Sequence, residues 1–123
     1  MKNKTLLLTL LTIFCNQLSS TPDSDIAAYE ISSCVKLGRF VWNDDSKRLL
    51  RSIKNSGIEN AELGVKCADD LNPDLLHDME FEIKKKIGTE MYEKFLKTLH
   101  ESVTNETDQK LIIYTIWNRL SLD

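Results

Sequence analysis

Apolar residues recur at three- and four-residue steps along most of this chain, and polar capping clusters divide the pattern into segments. Thr21-Pro22-Asp23-Ser24-Asp25 opens the first segment with cap residues and early acids that suit the positive end of a helix dipole. Ala27, Ile31, Cys34, Val35, Gly38, Val41 and Trp42 follow as one helical face, with Cys34 on its buried side. Gly38 within that face is either a point of close backbone approach or a weak point in the helix. Asn43-Asp44-Asp45-Ser46 interrupts and restarts the helix. Leu49, Leu50 and Ile53 form the next apolar stripe, and Asn55-Ser56-Gly57 closes it.

The spacing predicts a further helix over 58–71, with small residues Ala61, Gly64 or Val65 and Ala68 beside Leu63 and Cys67. Asn72-Pro73-Asp74 starts the next one, since Pro fits the first helical position, where its missing N–H costs nothing. That helix carries Leu75, Leu76, Met79, Ile83 and Ile87 inward, with Glu80, Glu82, Lys84, Lys85 and Lys86 mostly facing water. Gly88-Thr89 separates it from Tyr92, Phe95, Leu96, Leu99 and Val103, unless the two form one long kinked helix. After a polar break at Thr104 to Gln109, Leu111 to Leu120 is the last apolar block. Its β-branched and aromatic content would suit a strand. Helix is preferred, because a lone strand has nothing to pair with and Ile112, Ile113, Ile116, Trp117 and Leu120 share a helical face. The fold class expected is all-α: a small irregular bundle of five or six short amphipathic helices with one intrachain disulfide.

The N-terminus changes the picture by setting the compartment. Lys2 and Lys4, the apolar run Leu6 to Phe14 and the small residues after Leu18 have the layout of a secretory signal peptide. Cleavage is expected after Ser20, leaving residues 21–123 as a single secreted helical domain. The apolar run is about half the ~20 residues of a membrane span, so no transmembrane anchor is expected. Removing Lys2 and Lys4 leaves 14 basic against 19 acidic side chains, a net charge of −5, which disfavours nucleic acid as a partner.

Cys34 and Cys67 are the cysteines that remain after the leader, and in an oxidising route they are expected to pair. A bond closing about 34 residues contributes roughly 3–4 kcal/mol in the chain-entropy account. Two buried free thiols are the alternative. A zinc site is disfavoured because His77 and His100 have no cysteine at ligand spacing. Asn105-Glu106-Thr107 is an N-glycosylation sequon, which a eukaryotic secretory route would place on the surface.

Candidate chemistry is sparse. There is no phosphate loop, nucleophile elbow or paired metal-ligand histidine motif, and no cofactor is implied. His77 near Asp78 and Glu80, and His100 beside Glu101, read as ordinary surface or boundary residues. Lys47, Arg48, Arg51 and Lys54 read as the solvated face of a helix in preference to a patch for an acidic partner. The chain is expected to be a non-enzymatic extracellular factor of seminal, salivary or defence type, acting through its surface on a protein or receptor. The alternative is a carrier in which Trp42, Met79, Tyr92, Phe95 and Trp117 surround a cavity for a lipophilic small molecule.

Two resemblances bear on that choice. Asp45 to Asp74, with Leu49-Leu50, Ile53 and the run Lys66-Cys67-Ala68-Asp69-Asp70-Leu71-Asn72-Pro73-Asp74, resembles the secretoglobins. That likeness implies a small secreted helical protein, often dimeric, with a lipophilic cavity. The chain differs from that family in the position of Cys34, in having no cysteine near its C-terminus, and in the length that follows Cys67. In leader, size and cysteine economy the chain also resembles the small helical proteins that insects secrete from accessory glands or salivary tissue, which implies transfer in seminal fluid or saliva.

Overall fold

The computed structural model describes residues 23–59, 63 and 65–122. The leader expected over residues 1–20 lies outside the described residues. Among the described residues there are five helices, α1 (Ser24–Lys36), α2 (Asp44–Ser56), α3 (Pro73–Ile87), α4 (Thr89–Ser102) and α5 (Glu106–Ser121), with one 3₁₀ turn at Ala68–Asp70. No strand occurs among the described residues.

Four of the five helix starts follow from a side-chain cap written in the sequence, and α4 begins after Gly88 without one. Asp23 accepts the Asp25 N–H at 2.7 Å, Asn72 the Leu75 N–H at 2.8 Å and Asn105 the Asp108 N–H at 2.9 Å. At α2 the cap is reciprocal: Asn43 Oδ1 accepts from Ser46 N–H at 3.0 Å, and Ser46 Oγ accepts from Asn43 N–H at 2.8 Å. Gly57 (φ +77) ends α2, and Gly88 (φ +93) separates α3 from α4, so the two are distinct helices.

α5 lies at the centre. Leu111 through Ile116 are buried in succession, as is Leu120, so the helix is covered on nearly every side. It packs on α1, on α3 and on the 3₁₀ turn; α1 also packs on α2 and α4, and α3 on α4. The buried Thr115 hydroxyl donates to the Leu111 carbonyl at 2.7 Å, which satisfies it inside the helix. Fully burying side chains such as Ile112 and Ile116 stabilises the fold by about 1.5–3 kcal/mol each. The β-branched block is therefore a helix whose apolar surface neighbouring helices cover.

Two sequence expectations need correction. The first helix stops at Lys36 and does not run on to Trp42. Gly38 adopts φ +71, and the Arg39 N–H folds back to the Cys34 carbonyl at 2.7 Å, so this glycine closes the helix. A Cβ there would also stand 3.0 Å from Met91 Sδ of α4, so close approach and turn geometry both favour glycine. The second correction concerns 58–71. Among its described residues only Ala68–Asp70 are helical, in a single 3₁₀ turn. The Asp70 carboxylate takes the N–H groups of Lys66 (2.9 Å) and Cys67 (3.2 Å), a local alternative to helical bonding. Ile58, Val65, Ala68 and Leu71 are still buried.

The structure carries no bond between Cys34 and Cys67, both of which are free thiols in it. Cys34 sits near the end of α1, which packs on α2, α4 and α5, whereas Cys67 precedes the 3₁₀ turn, which packs on α5.

Candidate functional site

α1 carries two apolar rows. Ala27, Ile31 and Val35 face the core. On the opposite side Ile26 and Tyr29, with Leu37 at the helix end, recur at helical spacing and are 52%, 55% and 60% exposed. The Arg119 guanidinium of α5 lies 5.2 Å from the Tyr29 ring centroid, a cation–π contact that holds the ring on the surface. Val41, just beyond, is exposed as well. Glu30 lies between the two rows; partial burial, then the Asp45 carboxylate, push it above the usual carboxylate range, and Arg48 pulls the other way.

Clefts on the described surface include three that bear on function. One, of about 190 Å³, is walled by Ile53, Ile58, Ala68 and Leu111, with Lys54, Lys66, Cys67 and Thr107 beside them. Its charges are already matched in part: Lys54 pairs with Asp108 at 2.7 Å, and Thr107 donates to Asp69 at 2.7 Å. A second cleft of about 160 Å³ shares Ile53, Gly57 and Ile58 and is lined mainly by polar groups, among them Asp25, Glu59 and Asn118. The third, about 60 Å³, is lined by Cys34, Phe40 and Asn43. The two thiols therefore stand at different clefts.

The residues expected to line a lipophilic cavity are spread between core and rim. Met79, Tyr92 and Phe95 are buried, and Phe95 packs edge-on against Phe40 at 5.2 Å. Trp117 is half-buried and donates to Glu82 Oε1 at 2.9 Å; Trp42 is half-buried with Lys47 Nζ 6.0 Å from its ring centroid. None of the five lines any of the three clefts. The Tyr92 hydroxyl donates to Glu80, and burial, reinforced by that carboxylate, pushes the phenol pKa upward.

The chain matches no family model, no curated protein and no solved structure. The reading of its function therefore rests on its own surface and sequence. His77 and His100 are exposed, as are Asp78 and Glu101 beside them. Among the described residues no three His, Cys, Asp or Glu side chains converge on a common point for a metal ion. Of the four basic residues of α2, Lys47, Arg51 and Lys54 are exposed, while Arg48 pairs with Asp45 at 2.7 Å. Asn105 is exposed at the head of α5.

Sequence reasoning missed the outer row of α1. Its signal was present, since Ile26, Tyr29 and Leu37 keep helical spacing while falling off the face set by Ala27, Ile31 and Val35. Glu82 is exposed, as expected, and also accepts from Trp117, while Glu80 is half-buried under the Tyr92 hydroxyl.

Proposed function

We propose that the chain is exported and that residues 21–123 act as a non-enzymatic extracellular factor, of seminal, salivary or defence type, presenting a surface to a protein or receptor. Export is supported by the basic start, the short apolar run and the small residues up to Ser20. No helix among the described residues is long and apolar enough to cross a membrane.

The observation that carries the surface reading is the outer row of α1. Large apolar side chains aligned along one helix and open to solvent are the usual anchors of a helix that meets a partner. Carriage of a lipophilic ligand draws less support, because the five residues expected to line its cavity line none of the three clefts, and the apolar cleft at Ile53 and Leu111, about 190 Å³, is below the roughly 300–1,000 Å³ usual for small-molecule pockets. Mass analysis of material released from secreting cells is expected to find a chain starting near Thr21. The released protein is expected to bind intact recipient cells, and the double variant Ile26→Asp, Tyr29→Asp to lose that binding while keeping a helical spectrum. Binding unchanged in the variant removes the row from the mechanism; saturable, stoichiometric uptake of a lipophilic fluorophore favours the carrier instead.

A further inference from the structure

We propose that Asn105 carries an N-linked glycan and that folding closes the site, so that the sugar is added before α5 docks on the 3₁₀ turn; this rests on the export reading. Asn105-Glu106-Thr107 is the sequon, and Asn105 is exposed. As the cap of α5, Asn105 accepts the Asp108 N–H through Oδ1 at 2.9 Å. The cap uses the oxygen and leaves the amide nitrogen for the linkage, so a glycosylated Asn105 still caps the helix.

The folded sequon is a poor substrate for the same reason that it is a good cap. A transferase must hold the threonine hydroxyl and bend the sequon around its own groups. Here Glu106 and Thr107 are already in the first turn of α5. The Thr107 hydroxyl is also given to Asp69 Oδ1 at 2.7 Å, across to the 3₁₀ turn. The donor class is an oligosaccharide on a polyprenyl pyrophosphate. The Nδ2–C1 bond forms as the C1–O bond to pyrophosphate breaks; the lipid pyrophosphate leaves with the electron pair, and the amide nitrogen gives up one proton. Thr107 also lines the 190 Å³ cleft with Lys66 and Cys67, so the sugar would be attached two positions from a wall residue of that cleft.

The test translates the full chain with endoplasmic-reticulum microsomes, and separately offers pre-folded full chain to detergent-opened microsomes containing the lipid-linked donor. The nascent chain is expected to become protease-protected and to gain a mass that an endoglycosidase removes. Asn105→Asp, which keeps a carboxylate acceptor for the cap, is expected to gain no sugar and to melt at the same temperature. Pre-folded chain is expected to stay unmodified, and chain denatured beforehand to accept the sugar. A protected chain without sugar, a sugar retained in Asn105→Asp and therefore on the other sequon of the chain, Asn3-Lys4-Thr5, or equal modification of folded and denatured chain each overturns the proposal. A chain left outside the microsomes and digested by protease defeats the export reading itself, and this inference with it.

Discussion

The hydroxyl of Tyr92 on α4 donates to the carboxylate of Glu80 on α3, joining two helices whose connection is Gly88 alone. Both ends of this bond are shielded, so losing one partner leaves the other without its match. Tyr92→Phe is expected to lower stability by about 1–3 kcal/mol, read from denaturant melts. Because the Tyr92 pKa is raised in the fold, its contribution is complete below the unfolded value of about 10 and falls as pH rises beyond it. Wild type is therefore expected to lose stability above that pH more steeply than Tyr92→Phe. Parallel alkaline curves for the two would remove Tyr92 as the cause.

Two carboxylates are expected to respond to acid in opposite senses. Asp70 is held below the usual aspartate range, chiefly by the Lys66 N–H and then by that of Cys67, outweighing its own desolvation. Its contribution is present above the unfolded value of about 3.9 and is lost as pH falls through the lower folded value. Glu30 is raised, so its contribution is complete below about 4.3 and is lost as pH rises through the higher folded value. Glu30→Gln is expected to raise the melting temperature at neutral pH, and Asp70→Asn to lower it. An unchanged Glu30→Gln melt would count against the burial assigned to this side chain.

Gly38→Ala is expected to cost about 1–3 kcal/mol, since φ +71 is a left-handed conformation that a side chain adopts under strain. The new methyl would also press on Met91 Sδ at 3.0 Å. At Gly57 and Gly88 no atom lies within 4 Å of an added Cβ, so the same change there is expected to cost only the backbone strain. Equal melting temperatures for the three alanine variants would show that the Met91 contact is harmless.

Thiol labelling distinguishes the cysteines. Native protein is expected to take up two equivalents of alkylating reagent, at Cys67 faster than at half-buried Cys34. An intact mass lighter by two hydrogens, with no label taken up, would restore the pairing expected from compartment alone. The compartment argument concerns which bonds an oxidising route permits. Whether two sulfurs meet depends on the path of the chain between them.

That path is where sequence and structure part. Caps at Asn43, Asn72 and Asn105, the closing glycines at 57 and 88, and the three- and four-residue apolar steps act over a single turn, so the local order of residues was enough to place α2, α3 and α5, and left Gly88 as either a break or a kink before α4. The Leu111–Leu120 block was legible as helix through its face pattern despite its β-branched residues. Its place at the centre of the bundle was not legible, because that depends on α1, α3 and the 3₁₀ turn all packing on it.

The sequence by itself determined the helical class, the helix starts and most of the core, since each of these is settled by neighbours within about four positions. Tertiary structure decided that Gly38 ends α1, that the described part of 58–71 is helical only at Ala68–Asp70, that Cys34 and Cys67 line different clefts and that α1 keeps an apolar row in solvent. Those outcomes depend on which surfaces meet, and contacts between residues distant in the chain are encoded by shape and packing, for which a linear pattern of polarity has no term.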